Sequence, residues 1–382
     1  APSTLSLIRN MFLDPKERTV AIGVWVTSYS AGGAIGPLIG GILLEYFWWG
    51  SVFLVGVPVM VLLLILGPIL LPEFRDPKAG KLDLVSAALS LTAVLSIIYG
   101  LKKVAESGIG YESVLSFAAG IIVGALFLQR QKKLADPMID LKLFGSLTFS
   151  TSLGIYTFIT FIAFGAFIFI FQYLQLVLGL SPLEAGLWSL PSFVGFIAGS
   201  MVAPMLVRHV HPSKVIEGGL VLAAIGFALL AQVDVNSGLT FLVSGMLIYS
   251  LGIGPVITLA TDMIVGAAPP ERAGAAAALS ETSSEFGGAL GIAILGSIGT
   301  AIYRSKITAG MPEKISQKMA EEATDTLGGA IAVASQLPSE LGRSLIQTAN
   351  ASFVTGMQLN AWIAATIAGV LAILSVIVLR KK

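Results

Sequence analysis

The sequence predicts an all-α, polytopic membrane protein with about ten transmembrane helices, and three observations carry that prediction. Of 382 residues, 55% are apolar and only 12% charged, and the mean hydropathy is +0.88, outside the range of water-soluble domains. Apolar stretches of the ~20 residues that a helix needs to cross a ~30 Å hydrocarbon core recur along the chain, separated by charged or Pro/Gly-rich punctuation. The basic residues are also divided unevenly between alternate connections, as they are when a chain crosses a membrane repeatedly.

The stretches are 20–47, 51–71, 84–101, 114–128, 149–178, 183–207, 215–231, 239–265, 273–302 and 353–379. With both ends cytoplasmic, the inner connections hold sixteen of the 23 Lys and Arg residues, Arg9, Lys16, Arg18, Arg208 and Lys214 among them; Lys102 and Lys103 occupy a short outer loop. The other five lie in the long segment 303–350, where charge does not govern translocation. Within that segment Ile315, Met319 and Leu327 recur at helical intervals after Pro312, as do Leu341 and Leu345 after Ser339. This predicts a helical hairpin on the outer face, the alternative being a partly ordered loop.

A net charge of +1 and two histidines, His209 and His211, with no cysteine exclude several classes. Nothing suits a nucleic-acid partner, a disulfide framework or a cysteine metal site. No nucleophile–base constellation, metal-ligand cluster or phosphate-binding glycine loop is present, so neither an enzyme nor a cofactor is expected. The chain opens Ala-Pro-Ser-Thr with no signal-peptide layout and reads as a piece of a longer protein.

In the first span, Ala31-Gly-Gly-Ala-Ile-Gly-Pro-Leu-Ile-Gly-Gly41 places Gly32, Gly36 and Gly40 on one helical stripe and Gly33, Pro37 and Gly41 on the next. Stripes without bulk let another helix approach backbone to backbone, and a proline frees a carbonyl within the span. A single stripe is ordinary packing; a doubled stripe with an embedded Gly-Pro is more specific.

That run, after Lys16-Glu17-Arg18, resembles the antiporter motif of proton-driven drug exporters of the major facilitator superfamily. Trp49-Gly50-Ser51-Val52-Phe53 with Val57-Pro58 resembles the start of the following span in the 14-span drug/proton antiporters. Asp136-Pro137-Met138-Ile139-Asp140-Leu141-Lys142-Leu143-Phe144 is similar to their central cytoplasmic linker, and Leu180 to Leu187 to an outer turn of their second half. The resemblance covers nearly the whole chain and is nearest to the branch exporting quaternary ammonium compounds and cationic dyes. It implies that the first four spans of fourteen are not included. It also implies a division into 1–71, a two-span remainder of an N-terminal bundle; 72–147, two extra central spans with linkers; and 148–382, a six-span C-terminal bundle carrying the outer loop.

The ninth span contains Leu279-Ser280-Glu281-Thr282-Ser283-Ser284-Glu285. Entering from Arg272 at 1.5 Å per residue, Glu281 lies about 13 Å and Glu285 about 19 Å along the helix, near the middle of a ~30 Å core. Their i, i+4 spacing puts them one turn apart on one face. An ionised, unpaired carboxylate there costs several kcal/mol, so each needs a partner, a water-filled cavity or a bound proton, and the two should titrate as a coupled unit. This is the equipment of a proton site that a cation can also occupy; the duller alternative is a hydrogen-bonded pair used in packing. The resemblance agrees, since the quaternary ammonium exporters carry acids at positions matching Glu281 and Glu285, and some carry another where Ser280 stands. Asp262 and Glu217, near the inner ends of their spans and beside Arg272 and Lys214, read as structural.

The fifth span supplies the remaining cavity candidates: Tyr156, Phe158, Phe161 and Phe164, with Gln172 further along. Aromatic faces attract desolvated cations by about 0.5–2 kcal/mol each, although any one phenylalanine serves equally well facing lipid. The expected function is proton-coupled efflux of lipophilic or quaternary ammonium cations by alternating access. The expected partners are that small-molecule cation, protons and membrane lipid, and the setting a bacterial cytoplasmic membrane, the complete protein acting as a monomer. Rivals are a same-fold transporter of a neutral antibiotic, sugar derivative or siderophore, and a non-transporting membrane scaffold or sensor.

Overall fold

Local chemistry sets most helix starts in this computed structural model, which describes residues 2–70, 83–108, 110–134, 137–235, 239–269, 273–312 and 315–379. A short helix α1 (Pro2–Met11) precedes α2 (Pro15–Tyr46), which begins where Asp14 accepts the Lys16 amide at 2.7 Å and Pro15 occupies the first turn, a position that needs no N–H donor. Then follow α3 (Ser51–Leu54), α4 (Gly56–Leu70), α5 (Leu84–Ser107) and α6 (Tyr111–Lys133). A 3₁₀ turn over Leu141–Gly145, capped by Asp140, leads into α7 (Leu147–Gln172), which a π turn extends to Val177. Ser181 and Glu184 form a reciprocal capping box at the head of α8 (Pro182–Leu206), satisfying two otherwise orphaned amides. The chain continues through α9 (Pro212–Leu230), α10 (Thr240–Ala267), α11 (Ala273–Ala309), α12 (Gln317–Asp325), α13 (Leu327–Ala334) and α14 (Ser339–Leu379).

Among the described residues, ten helical stretches are long and apolar enough to cross a membrane, at the ten places the sequence indicates. The principal core lies in the unit of α7, α8, α9, α10, α11 and α14. Its helices approach through glycines: Gly287 and Gly291 of α11 lie against Thr157 and Phe161 of α7, and Gly195 and Gly199 of α8 against Leu247 and Leu251 of α10. With no side chain at these points, backbones come close enough for dispersion contacts that bulkier residues would prevent. Helix α2 packs along α8 and touches α10, and α1 packs on α11. Along α4 from Gly56 to Ile69, by contrast, no side chain is buried.

The hairpin of α5 and α6 is closed at one end by Asp83, which caps α5 through Ser86 and takes two bonds from Arg130 Nη2 at 3.0 and 3.2 Å. The Ser86 bonds, then the guanidinium, hold the Asp83 carboxyl down at about 2, so the pair stays charged throughout the physiological range. Asp136, Arg272 and the basic residues Arg75, Lys78 and Lys81 lie outside the described residues.

The segment 303–350 differs from its expected layout. Helix α11 runs on to Ala309 and α14 begins at Ser339, so at 37 and 41 residues they are about 55 and 60 Å long, far beyond a ~30 Å core. Leu341 and Leu345 therefore belong to a continuous extension of the last span, not to a separate hairpin arm. Two short helices, α12 and α13, complete this projection. The Tyr303 hydroxyl donates to the Ala323 carbonyl at 2.8 Å, and Ala330 and Val333 are buried.

Candidate functional site

The site is built where α2 meets the six-helix unit. From the end at which α2 starts, called here the basal end, three levels follow one another along this helix. Arg18 Nε donates to Asp262 Oδ1 of α10 at 2.6 Å, and the Thr19 hydroxyl donates to Asp262 Oδ2, also at 2.6 Å. Arg18 is only 8% exposed. Gly266, one turn beyond Asp262, makes room for the guanidinium: a Cβ there would fall 2.8 Å from Arg18 Nη2. Arg9 of α1 lies within electrostatic reach of both partners. Asp262 is thus paired across helices with Arg18, a residue counted above as a loop charge and in fact buried within α2.

One level further, Leu5 of α1 and Ile22 and Val26 of α2 pack with Val265 of α10 and Ala277 of α11 in a small apolar cluster. Above it stands the carboxylate pair. Glu281 is half-buried and its Oε1 is enclosed without a hydrogen-bond partner among the described residues, while Glu285, one turn on, is exposed. Around Glu281 the structure gathers hydroxyls from three helices. Tyr156 of α7 is buried with its hydroxyl beside Ser284 of α11 and Thr261 of α10, and within electrostatic reach of Glu281. The Ser280 oxygen is buried without a partner among the described residues. Tyr29 of α2, 69% exposed, lies within electrostatic reach of Glu281 and Glu285. A carboxyl in such a setting can bind a proton or, ionised, a cation, with hydroxyls serving as donor or acceptor to either.

The remaining aromatic candidates separate. Phe161 and Phe164 of α7 pack onto the Gly288 to Gly291 turn of α11, beyond Glu285. Phe158 is half-exposed; two residues from Tyr156 it points nearly to the opposite side of α7. Gln172 lies about 24 Å further along α7 than Tyr156, in a groove of about 480 Å³ that Phe164 also lines, with Phe167, Phe171 and Gln175. Tyr156 lies within electrostatic reach of Glu281 and Ser280 precedes it in α11, whereas Phe161 and Phe164 lie further along, toward Gly291 and Gly288.

The two glycine stripes of α2 also part company. On one, a Cβ at Gly33 would fall 2.8 Å from the Phe193 ring and a Cβ at Gly41 2.7 Å from Leu183 Cα, with Pro37 against Gly186 between them, so this stripe forms the seam with α8. On the other, Gly32 and Gly36 meet nothing within 4 Å and Gly40 meets only Val52 Cγ1, at 3.9 Å.

These features coincide with a comparison of sequences. The profile of the Major Facilitator Superfamily matches residues 1–292 of the chain. The chain belongs to this superfamily. Among its relatives, multidrug efflux pump LfrA of Mycolicibacterium smegmatis is 43% identical over 365 residues, which is 95% of this chain and 72% of LfrA. Methyl viologen resistance protein SmvA of Salmonella typhimurium is 32% identical over 357 residues, 92% of the chain and 71% of SmvA. Tetracenomycin C resistance and export protein of Streptomyces glaucescens is 31% identical over 383 residues, 98% of the chain and 70% of that protein. As a member of the superfamily with ten apolar helices of spanning length among its described residues, it is an integral multi-pass membrane protein.

Sequence reasoning located the carboxylates of this superfamily member but missed Tyr29 and the Arg18–Asp262 pair. A lone tyrosine in an apolar span carries no signal of its own, and 244 residues separate Arg18 from Asp262. The only available clue was that both are charged residues inside long apolar helices, where charges require partners.

The seam yields a prediction. Gly41→Ala should force α2 away from α8 and cost about 1–3 kcal/mol, read as a lowered midpoint of thermal unfolding in detergent. Gly36→Ala, facing open space, should be neutral or slightly stabilising through helix propensity. Equal midpoints for both variants would show that the seam does not tell the stripes apart.

Proposed function

We propose that this chain forms the greater part of a proton-coupled exporter of lipophilic cations, quaternary ammonium compounds included, and that it works by alternating access. The observation that carries the reading is the unpartnered Glu281 oxygen, paired one turn away with Glu285 and set between the hydroxyls of Tyr156, Thr261 and Ser284 and the α2 residue Tyr29. The names of the relatives support export of drugs, and methyl viologen, named for SmvA, is itself a quaternary dication. In this reading the basal end is cytoplasmic, in a bacterial inner membrane, and the chain's 1–71 and 148–382 portions belong to opposing bundles.

The cycle follows from competition for one site. With the basal end open, a cation settles beside ionised Glu281 and Glu285, where Tyr29 offers an aromatic face. The bundles then rock about the site, and the Arg18–Asp262 pair closes the basal end. Protons entering from outside neutralise the carboxylates and discharge the cation. Each net charge moved is biased by about 2.3 kcal/mol per 100 mV.

The test uses the full-length protein in inside-out vesicles loaded with protons. Adding a fluorescent lipophilic cation should release protons from the lumen in proportion to cation uptake. If no proton movement accompanies any of several cations in folded, inserted protein, the cation-exporter reading fails. A second reading, export of a neutral aromatic antibiotic by the same fold, has one specific support in the relative named for tetracenomycin C. Uptake of a neutral polyketide with no response to lipophilic cations would select it.

A further inference from the structure

We propose that the groove between the start of α2 and the turn after α8 is a binding site for the headgroup and first acyl segment of an anionic phospholipid. The groove measures about 980 Å³ and lies by the α2–α8 seam: one wall comes from the start of α2 with Ile8 and Phe12 of the preceding segment, the other from Arg208 and His209 in the turn after α8. Three basic residues rim it. Lys16 stands in the first turn of α2, and Arg208 and His209 in the turn that ends α8. All three are exposed, and none of their side chains joins an ion pair or side-chain hydrogen bond among the described residues. Glu17 is the one acid in the lining, which leaves a net charge of +1 with His209 neutral, matched to a monoanionic phosphodiester.

Below the charged rim the wall is apolar. Val20 and Val24 are 37% and 50% exposed, and Trp25 is half-buried beside them. A charged rim at a span's end over an apolar face suits a lipid, whose headgroup sits at the interface and whose chain follows the helix; a free phosphate would leave that wall against water. Trp25 lies about 14 Å along α2 from Lys16, so it stands beside the acyl segment, below the headgroup. A lipid held here would bridge both bundles at their basal seam, whatever cargo the site above carries.

The experiment reconstitutes the full-length protein in phosphatidylcholine nanodiscs and titrates in brominated phosphatidylglycerol, reading the quenching that is lost in Trp25→Phe. Nanodiscs expose both leaflets, so the outcome is independent of orientation and of transport. Trp25-dependent quenching should half-saturate at a roughly five- to tenfold lower mole fraction of brominated phosphatidylglycerol than of brominated phosphatidylcholine. Lys16→Gln with Arg208→Gln should remove that preference while helicity and thermal midpoint stay unchanged. If that double variant does not fold, the wild-type preference for the anionic lipid decides alone. Equal quenching by the two lipids overturns the proposal. So does displacement of the bound brominated lipid by millimolar inorganic phosphate, which would mark a soluble-anion site.

Discussion

Glu281→Gln in the full-length protein is expected to abolish cation-driven proton release and to lower cation affinity by about tenfold or more, ~1.4 kcal/mol at least. The amide keeps the size of the side chain and its contacts with the Tyr156 and Ser284 neighbourhood. What it removes is the capacity to alternate between a bound proton and a negative charge. Glu285→Gln should have the smaller effect, because Glu285 is exposed whereas the Glu281 Oε1 is enclosed. Glu281→Asp should retain part of the activity, since the titrating group survives at shortened reach. Proton release and equilibrium binding, measured on the same preparations, separate the two functions. If Glu281→Gln couples protons to cations as the wild type does, the carboxylate is a packing element and the site lies elsewhere.

Asp262→Asn is expected to open the basal end. It leaves the Arg18 guanidinium, 8% exposed, without its counter-ion, and an orphaned buried charge costs about 3–5 kcal/mol. The bundles can avoid that cost by separating, so the loss should appear as a population shift of about 1–3 kcal/mol, some 5- to 150-fold, toward the basally open conformer. Spin labels at Glu17 and Ala267, both exposed and near this pair, should report a longer and broader distance distribution. Removing both charges, as Arg18→Gln with Asp262→Asn, should be milder than either single change. Arg18→Lys should not restore the wild-type distances, since an ammonium cannot reproduce the oriented guanidinium donor at 2.6 Å. Distances unchanged in Asp262→Asn would mean that the pair has no part in closure.

These two expectations rest on different kinds of legibility. Glu281 could be read from the chain because depth along a helix is a local quantity: count residues from Arg272, multiply by the rise, and a carboxylate is found in mid-membrane. Asp262 was as visible as a residue, and was read as structural beside nearby Arg272, whereas the structure pairs it with Arg18. Proximity in sequence is a poor guide to pairing between helices that diverge in sequence and converge in space. The aromatic residues of α7 show the same limit. Phe158, Phe161 and Phe164 recur at helical spacing, but only the neighbouring helices settle which side of α7 meets α11, and Phe158 falls on the face turned from Tyr156.

The glycines of α2 make the division plainest. Lack of bulk at Gly32, Gly36 and Gly40, and at Gly33, Pro37 and Gly41, is written in the chain, and so is the ability of either stripe to admit a neighbour. Only tertiary structure decided that α8 takes the second stripe. By itself the sequence determined what solvent and covalent geometry dictate residue by residue: ten apolar helices, their caps, and two carboxylates one turn apart within one of them. Which faces meet, which hydroxyls surround Glu281 and which charge answers Asp262 were decided by packing, because a helix in lipid has a nearly uniform apolar surface and its rotation is set only by the shapes it packs against.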